Sequence, residues 1–232
     1  MVRFPPLDYG RCVPDASGTH RPTIRPLPPS LPHRRGAPMS TATVLSRPGA
    51  VLADLLPATR TRDIALVVSG AVLTGIAAQL SVPVPGSPVP VSGQTFAALL
   101  VGTALGARLG FLSLGLYAVA GMAGMPWFAE GASGWGMPSF GYVLGMLLAS
   151  TVVGALARRG ADRSVPRMAA TMVLGSAVIY AVGVPYLALA TGMSLSQAVA
   201  AGLTPFLIGD AVKAALAMGA LPTAWKLIGR KG

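Results

Sequence analysis

The sequence predicts an all-α integral membrane protein: a six-helix transmembrane bundle with both termini in the cytoplasm and a disordered N-terminal tail. Of its 232 residues 53% are hydrophobic and only 11% are charged, whereas a soluble domain carries about 25% charged residues. Apolar stretches alternate with short breaks from residue 64 onward, and the basic residues fall in alternate breaks. Membrane topology therefore explains the net charge of +11, and a nucleic-acid partner is not expected.

The N-terminal 59 residues differ in kind from the rest of the chain. They hold 11 of the 21 prolines, seven arginines and both histidines, without hydrophobic periodicity. We therefore divide the chain into a disordered, basic, proline-rich cytoplasmic tail (1–59) and a membrane domain (60–232). No apolar segment follows Arg34 and Arg35, so no signal peptide is predicted. Translation from Met39 would remove much of this tail and, with it, Cys12, the only cysteine.

Six apolar stretches of the membrane domain predict six spans. They lie near residues 64–80, 94–105, 109–124, 138–156, 168–191 and 205–226. The second is short for a bilayer core, which needs about 20 helical residues. The segment before it, SVPVPGSPVPVSG, contains four prolines and cannot be a regular helix. Such backbone is tolerated at membrane depth where it packs in protein or lines a cavity, so this region predicts a pocket.

The basic residues predict the orientation of these spans. The loops 81–93, 125–137 and 192–204 contain no Lys or Arg. The opposite side carries Arg60, Arg62, Arg108, Arg158, Arg159, Arg163, Arg167, Lys226, Arg230 and Lys231. The positive-inside rule places this basic side, and both termini, in the cytoplasm of a multi-pass plasma-membrane protein.

A charged pair in the sixth span is the strongest indication of function. Asp210 and Lys213 lie three residues apart, on one helix face, in the otherwise apolar or small segment TPFLIGDAVKAALAMGALPTAW. An ionisable group at the bilayer centre costs about 2.5–3.5 kcal/mol on the insertion scale and usually faces a partner, a cavity or a substrate. Mutual neutralisation inside the bundle is the structural alternative. The predicted orientation places this pair in the outer half of the membrane. Gln94, at the start of the second span, lies on the same side.

The residues available favour binding over catalysis. The membrane domain contains no His and no Cys, and no lysine is followed by Ser or Thr, so His- or Cys-based nucleophiles, His metal sites and a P-loop are excluded. We expect no enzyme activity, metal or cofactor. Lys213 offers a cation, and Asp210 accepts hydrogen bonds from N–H groups. Gln94 can both donate and accept hydrogen bonds. Together with Tyr180 and other aromatic residues, they suit a small, partly apolar solute with an amide or urea and an acid group.

Small residues recur at helical spacing in three spans. The pairs are Ala71 and Gly75, Gly102 and Gly106, and Gly141 and Gly145. Close packing within the bundle explains most such pairs. A second interpretation gives Ala71 and Gly75 an outward face for docking another membrane subunit.

The chain resembles the BioY family, the biotin-specific substrate-capture (S) components of energy-coupling factor (ECF) vitamin transporters. The resemblance rests on VPVPGSPVPVSGQTFAALLVGTALGARLG at residues 82–110 and on three further stretches in order, GMAGMPWFAEGASGWGMPSFGYVLG, VIYAVGVPYLAL and LTPFLIGDAVKAAL. It covers nearly the whole membrane domain.

This resemblance implies high-affinity biotin capture in an extracytoplasmic pocket. The bicyclic urea would meet Asp210 and Gln94, Lys213 would add a polar contact, and Tyr180 and Phe128 would complete the biotin-binding set. The glycine-rich loop from Phe128 onward would cap the pocket. Transport would depend on a transmembrane coupling subunit, docked near Ala71 and Gly75. It would also depend on two ATPase subunits, and only these subunits would use ATP.

Three positions and two alternative functions qualify that expectation. Glu130 and Trp135 stand in the capping loop where the family often has glycines, and Ser176 stands where many relatives have Asn. The alternatives are an S component for another vitamin and a membrane scaffold protein without a solute. The PVPGSPVPVSGQTF stretch argues against the former, and the latter predicts no ligand-dependent stabilisation.

Overall fold

The computed structural model describes residues 49–229, so residues 1–48 of the predicted tail lie outside the described part of the chain. The helices are α1 (Arg60–Gln79), α2 (Gln94–Met122), α3 (Phe140–Ala157), α4 (Val165–Thr191), α5 (Leu195–Gly202) and α6 (Phe206–Gly229). An antiparallel ribbon of β1 (Ser81–Val82) and β2 (Val91–Ser92) connects α1 to α2. Among the described residues, five helices are long and apolar enough to cross a membrane: α1, α2, α3, α4 and most of α6.

α2 folds back on itself at Gly106. This residue has φ 81° and ψ 171°, a conformation that favours glycine. A Cβ on Gly110 would lie only 3.0 Å from the Cα atom of Gly102, although eight residues of straight helix span about 12 Å. α2 therefore consists of two antiparallel arms, residues 94–105 and 107–122. The sequence predicted two separate spans here, and the break falls at Gly106.

Glycines bring α2, α3 and α4 into close contact. A Cβ on Gly154 of α3 would lie 2.5 Å from the Ala107 nitrogen and 2.7 Å from the Gly102 oxygen. A Cβ on Gly145 would lie 2.7 Å from the Ile179 oxygen of α4. These distances leave no room for a side chain because the neighbouring atoms belong to the backbone. The small-residue pairs of these helices therefore serve packing within the chain.

Ala71 and Gly75 also face the interior, which corrects their assignment to an outward docking face. Ala71 is only 1% exposed, and a Cβ on Gly75 would lie 3.0 Å from the Trp127 ring. The opposite face of α1 is the exposed one, and Ile76, for example, is 62% exposed. The physical reason is that the bulky Trp127 ring needs a small partner on α1 and thereby turns the small residues inward.

The segment 49–55, which we call the strap, corrects the predicted extent of the disordered tail. It contains the 3-10 helix Leu52–Leu55, and Val51 is completely buried. Arg158 donates to the Gly49 carbonyl at 3.3 Å, Arg163 donates to the Ala50 carbonyl at 3.1 Å, and Arg62 donates to the Ala53 carbonyl. Three arginines of the predicted cytoplasmic side thus hold the strap against the bundle, which composition alone could not indicate.

α6 is the least embedded of the long helices. Only 22% of its apolar window is buried, against 61% for α2. At its far end, Nε1 of Trp225 donates to Oδ2 of Asp162 at 2.5 Å, and the Arg163 guanidinium lies 4.3 Å from the Trp225 ring centre. Asp162, in the turn between α3 and α4, is fully buried, and its Oδ1 has no hydrogen-bond partner among the described residues. Because α6 has little apolar burial, the hydrogen bond between Trp225 and Asp162 supplies part of its attachment to the bundle.

The close approach at Gly154 predicts a position-specific loss of stability. Gly154→Ala should lower the free energy of unfolding by about 1–3 kcal/mol, because the new methyl group meets backbone atoms that cannot move aside. Thermal unfolding of the purified protein measures this. Gly115→Ala is the matched control: its Cβ would meet only the end of the Leu147 side chain, at 3.9 Å, and it should be neutral or stabilising. Equal effects of both changes would contradict the packing argument.

Asp162 predicts a pH dependence of stability. Burial raises the pKa of this carboxyl above its ordinary value of 3.8, against smaller opposing effects of Trp225 and Arg163. A raised folded-state pKa means that the stabilising contribution is present at low pH and is lost as the pH rises from 3.8 through the folded value. Asp162→Asn should remove this loss and exceed the wild type in unfolding temperature near neutral pH.

Unfolding temperatures measured from about pH 4 to about pH 8 test this expectation. The difference between Asp162→Asn and wild type should grow with pH, because each unit of pKa elevation corresponds to about 1.4 kcal/mol. A wild-type advantage that increases with pH would mean that Asp162 works as a stabilising anion.

Candidate binding site

The charged pair predicted from the sequence forms and is tied to two neighbouring helices. Nζ of Lys213 lies 3.3 Å from Oδ1 of Asp210 and donates to Oγ1 of Thr95 at 2.7 Å. The Tyr180 hydroxyl donates to Oδ2 of Asp210 at 2.5 Å. Both carboxylate oxygens therefore have partners, and the four residues connect α2, α4 and α6 through hydrogen bonds. In an apolar environment such satisfaction is what allows two charges to remain buried.

Three aromatic rings lie beside this network. The rings of Tyr142, Tyr180 and Phe206 have centres 6.3–6.5 Å apart. Tyr142 reaches this position because Gly183 and Gly202 leave space for it, and its hydroxyl donates to the Gly202 carbonyl at 2.7 Å. The cluster holds the ring of Tyr180 in place and thereby directs its hydroxyl to Asp210. It also supplies a rigid apolar wall next to the charges.

A cleft of about 680 Å³ lies between α4, α5 and α6. Its size falls within the range of about 300–1,000 Å³ that is common for small-molecule sites. Its lining is mostly apolar, and its polar side chains are Ser176, Tyr180 and Asp210. The rim includes the exposed residues Leu195 and Leu207, so the cleft opens to the surface. A mostly apolar cleft with a few polar groups on one wall is typical of a site for a partly apolar ligand.

Pro185 adds a backbone acceptor to the cleft. It lies inside α4 and has no N–H group, so the carbonyl of Ala181 lacks its usual partner four residues later. Both residues line the cleft. A ligand with N–H groups can therefore find an acceptor on α4 as well as on Asp210.

A second, much smaller cavity lies on the other side of Asp210. Its volume is about 10 Å³, close to that of one water-sized probe. Thr95, Ser176, Asp210 and Lys213 are its polar lining residues. Four residues border both cavities and separate the cleft from the interior near α2: Met172, Ser176, Asp210 and Ala214.

Gln94 is placed apart from the charged pair. It is 6% exposed, and its Oε1 accepts a hydrogen bond of 2.8 Å from the hydroxyl of Tyr117 on the second arm of α2. Gln94 lines neither cavity. In this structure it makes the contact between helices that is common for a lone buried Gln, while the next residue, Thr95, faces Lys213.

Phe128 is likewise a packing residue in this structure. It is 1% exposed, and its ring lies edge-on to Tyr117 with 5.2 Å between centres. Gly121 makes room for it, because a Cβ there would lie 2.0 Å from the Phe128 ring. The loop that follows reaches α4, since the Tyr186 hydroxyl donates to the carbonyl of Trp135 at 2.9 Å. The Trp135 side chain is 72% exposed and is free to anchor at a membrane interface.

Thr95 is the contact that sequence reasoning did not identify. The available signal was its position beside Gln94 at the start of α2. A rotation of about 100° per helical residue places neighbouring side chains on different faces. The sequence predicted a contact from the more polar side chain, Gln94, whereas in the structure the helix turns the hydroxyl of Thr95 toward Lys213. The described residues contain no cluster of His, Cys, Asp or Glu suited to a metal ion.

Comparison with known proteins relates the whole described region to one family. The sequence model of the family described as the BioY family matches residues 47–230. A probable biotin transporter BioY of Pyrococcus horikoshii is 35% identical over 162 residues, which cover 68% of this chain and 93% of the relative. Biotin transporter BioY2 of Lactococcus lactis subsp. cremoris is 33% identical over 162 residues, covering 68% of this chain and 87% of the relative.

A solved structure has the same fold. It is the crystal structure of the S-component for biotin from an ECF-type ABC transporter, with a TM-score of 0.65 and 21% sequence identity. The match covers 73% of this chain and 95% of the other. At this identity the likeness supports the architecture of the bundle.

Proposed function

The chain belongs to the BioY family, and we propose that it captures biotin on the extracytoplasmic side and mediates its uptake as the substrate-specific component of an ECF-type ABC transporter. It is a transport protein and not an enzyme, as its relatives are named biotin transporters. The observation that carries the proposal is the partly buried Asp210 carboxylate, which is bonded to Tyr180 and Lys213 and lines the cleft.

The chemistry of this wall matches that of biotin. The N–H groups of a cyclic urea are donors, and Asp210 and the free carbonyl of Ala181 are acceptors beside the cleft. The Lys213 ammonium lines the small cavity next to Asp210 and not the cleft itself, and it suits a carboxylate or carbonyl oxygen that reaches past Asp210. The apolar ring system and aliphatic chain suit the remaining apolar lining. Gln94 and Phe128 contribute to this site by holding α2 and the loop that follows it in place through Tyr117.

We further propose a bundle of six membrane helices, in which the two arms of α2 count separately. An even number of spans places both termini on the same side of the membrane, together with the turn between α3 and α4, and we propose that this side is the cytoplasm. The basic residues of that turn support this orientation. The ribbon and the loop after α2 then face the outside, and lipid surrounds the exposed apolar faces of α1, α4 and α6.

The remaining proposals concern energy and partners. No cofactor is proposed for this chain, and ATP is used by partner subunits. A transmembrane coupling subunit and two ATPase subunits complete the transporter, in line with the S-component fold. Because Ala71 and Gly75 are buried, we do not propose them as the docking surface.

Biotin should stabilise the purified protein. A ligand that binds only the folded state at about 100 times its Kd adds about 2.7 kcal/mol, so micromolar biotin should raise the unfolding temperature. Lys213→Ala and Asp210→Ala should each weaken binding by about tenfold to a hundredfold, since a hydrogen bond to a charged group contributes about 1.5–3 kcal/mol. Lys226→Ala removes an exposed cation from the same helix and should bind as the wild type does.

The ligand panel decides between solutes. A shift with another vitamin and none with biotin would replace the proposed substrate. No shift with any vitamin would indicate a membrane scaffold. Normal biotin affinity in both pair variants would make Asp210 and Lys213 structural.

The orientation can be checked with single cysteines in a Cys12→Ala background. Val82→Cys lies in the ribbon and Arg159→Cys in the turn between α3 and α4, and both sites are exposed. In intact cells a membrane-impermeant maleimide should label the former, and it should label the latter only after permeabilisation. The reverse pattern would invert the proposed topology.

A further inference from the structure

We propose that Thr95 is a positioning residue of the biotin site, which holds the Lys213 ammonium away from Asp210 and so keeps the carboxylate able to accept a ligand. This inference rests on the proposed function. Thr95 lies on α2, 118 residues before Lys213 on α6, and its hydroxyl oxygen accepts a hydrogen bond from the Lys213 ammonium.

The distances show which partner holds the ammonium more closely. Nζ of Lys213 lies 2.7 Å from the Thr95 hydroxyl and 3.3 Å from the Asp210 carboxylate. An unconstrained ammonium–carboxylate bond is about 2.7–2.9 Å long. The stronger acceptor is thus the more distant one, so the position of Lys213 is a compromise that Thr95 imposes.

Thr95 has a rigid support, whereas Lys213 does not. The start of α2 is fixed by the bond from Tyr117 to Gln94 and by the Gly93 N–H, which donates to the Leu80 carbonyl at 2.9 Å. Gly93 also lies against α1, where a Cβ would come within 2.7 Å of the Ala77 oxygen. α6, by contrast, is the least buried long helix. Lys213 therefore lies on the helix with less supporting contact, and its long side chain adapts to the threonine.

This arrangement leaves binding capacity on both charges. An ionised carboxylate has about four acceptor positions and an ammonium has three donors. Tyr180 occupies one position on Asp210 closely and Lys213 another only loosely, while Lys213 uses two of its three donors. A ligand with an N–H donor and a nearby oxygen acceptor can bind both groups without first breaking a short ion pair.

Removal of the Thr95 hydroxyl should close the pair. In Thr95→Val the side chain keeps its shape but offers no acceptor, so Lys213 moves onto Asp210 and the two charges neutralise each other. The empty protein then loses little stability, because the shorter ion pair offsets the lost hydrogen bond. Biotin, however, must break that ion pair, and its affinity falls. A purely structural role would instead lower stability and affinity together.

The experiment measures biotin affinity and unfolding temperature of the full-length purified chain. Thr95→Val should weaken binding by about tenfold or more, while Thr95→Ser, which retains the hydroxyl, should stay within about threefold of the wild type. The empty forms of both variants should unfold close to the wild-type temperature. Lys213→Met provides the test of mechanism: in that background Thr95→Val should cause no further loss, because the lysine it positions is absent. Millimolar biotin in the thermal assay detects binding that is too weak for titration.

The outcomes separate the two proposals. Wild-type binding with unchanged affinity in Thr95→Val overturns the role of Thr95 and leaves biotin capture intact. An equal loss in the wild-type and Lys213→Met backgrounds, or a matching fall in unfolding temperature, overturns positioning through Lys213. Failure of the wild type to bind biotin overturns the proposed function, and the inference about Thr95 with it.

Discussion

The protein has to keep an aspartate and a lysine charged within an apolar helix bundle. Neither charge can be left alone there, because desolvation of an unpaired charge is costly. Tyr180 on α4 and Thr95 on α2 each supply one bond to the pair on α6. This requirement fixes the relative positions of three helices and places the cleft beside them. The aromatic cluster around Tyr142 and the glycines opposite it then follow as the means of holding Tyr180 in place.

The bundle divides into a tightly packed part and a loosely attached helix. α2, α3 and α4 meet through glycines at backbone contact, as at Gly102 and Gly154, so that part gains close van der Waals packing. α6 has little such burial and depends on polar contacts at two depths: Asp210 with its partners, and Trp225 with Asp162. Polar contacts can exchange partners at small net cost, whereas backbone packing cannot. α6, which carries the charged pair, is thus the helix whose attachments are able to change.

The sequence was informative where one-dimensional pattern determines structure. The apolar stretches, the break near Gly106 and the charged pair in the sixth span all follow from local composition and spacing, and the structure contains each of them. It was not informative about which face of a helix turns inward. Ala71 and Gly75 are small enough for either role, and the Trp127 ring, 52 residues after Gly75 in sequence, decides between them. The same limit explains the choice of Gln94 over Thr95 and the missed strap, which depends on arginines more than 100 residues away.

The hydrogen bonds that the empty site makes within the protein determine how it can select a ligand. Because Asp210 and Lys213 already have partners, a ligand gains affinity only where it replaces or adds to bonds that the protein makes for itself. An apolar ring that merely filled the cleft would gain burial but could displace a polar partner only by leaving a charge unpaired, which in a dry site is severely penalised. A ligand with both N–H donors and an oxygen acceptor meets both charges at once. Sites that demand such hydrogen bonds discriminate against analogues lacking them by about 10⁴-fold or more, far beyond what one methylene group achieves. The energetic cost of placing two charges within the membrane is therefore also the source of the selectivity that a vitamin-capture protein requires.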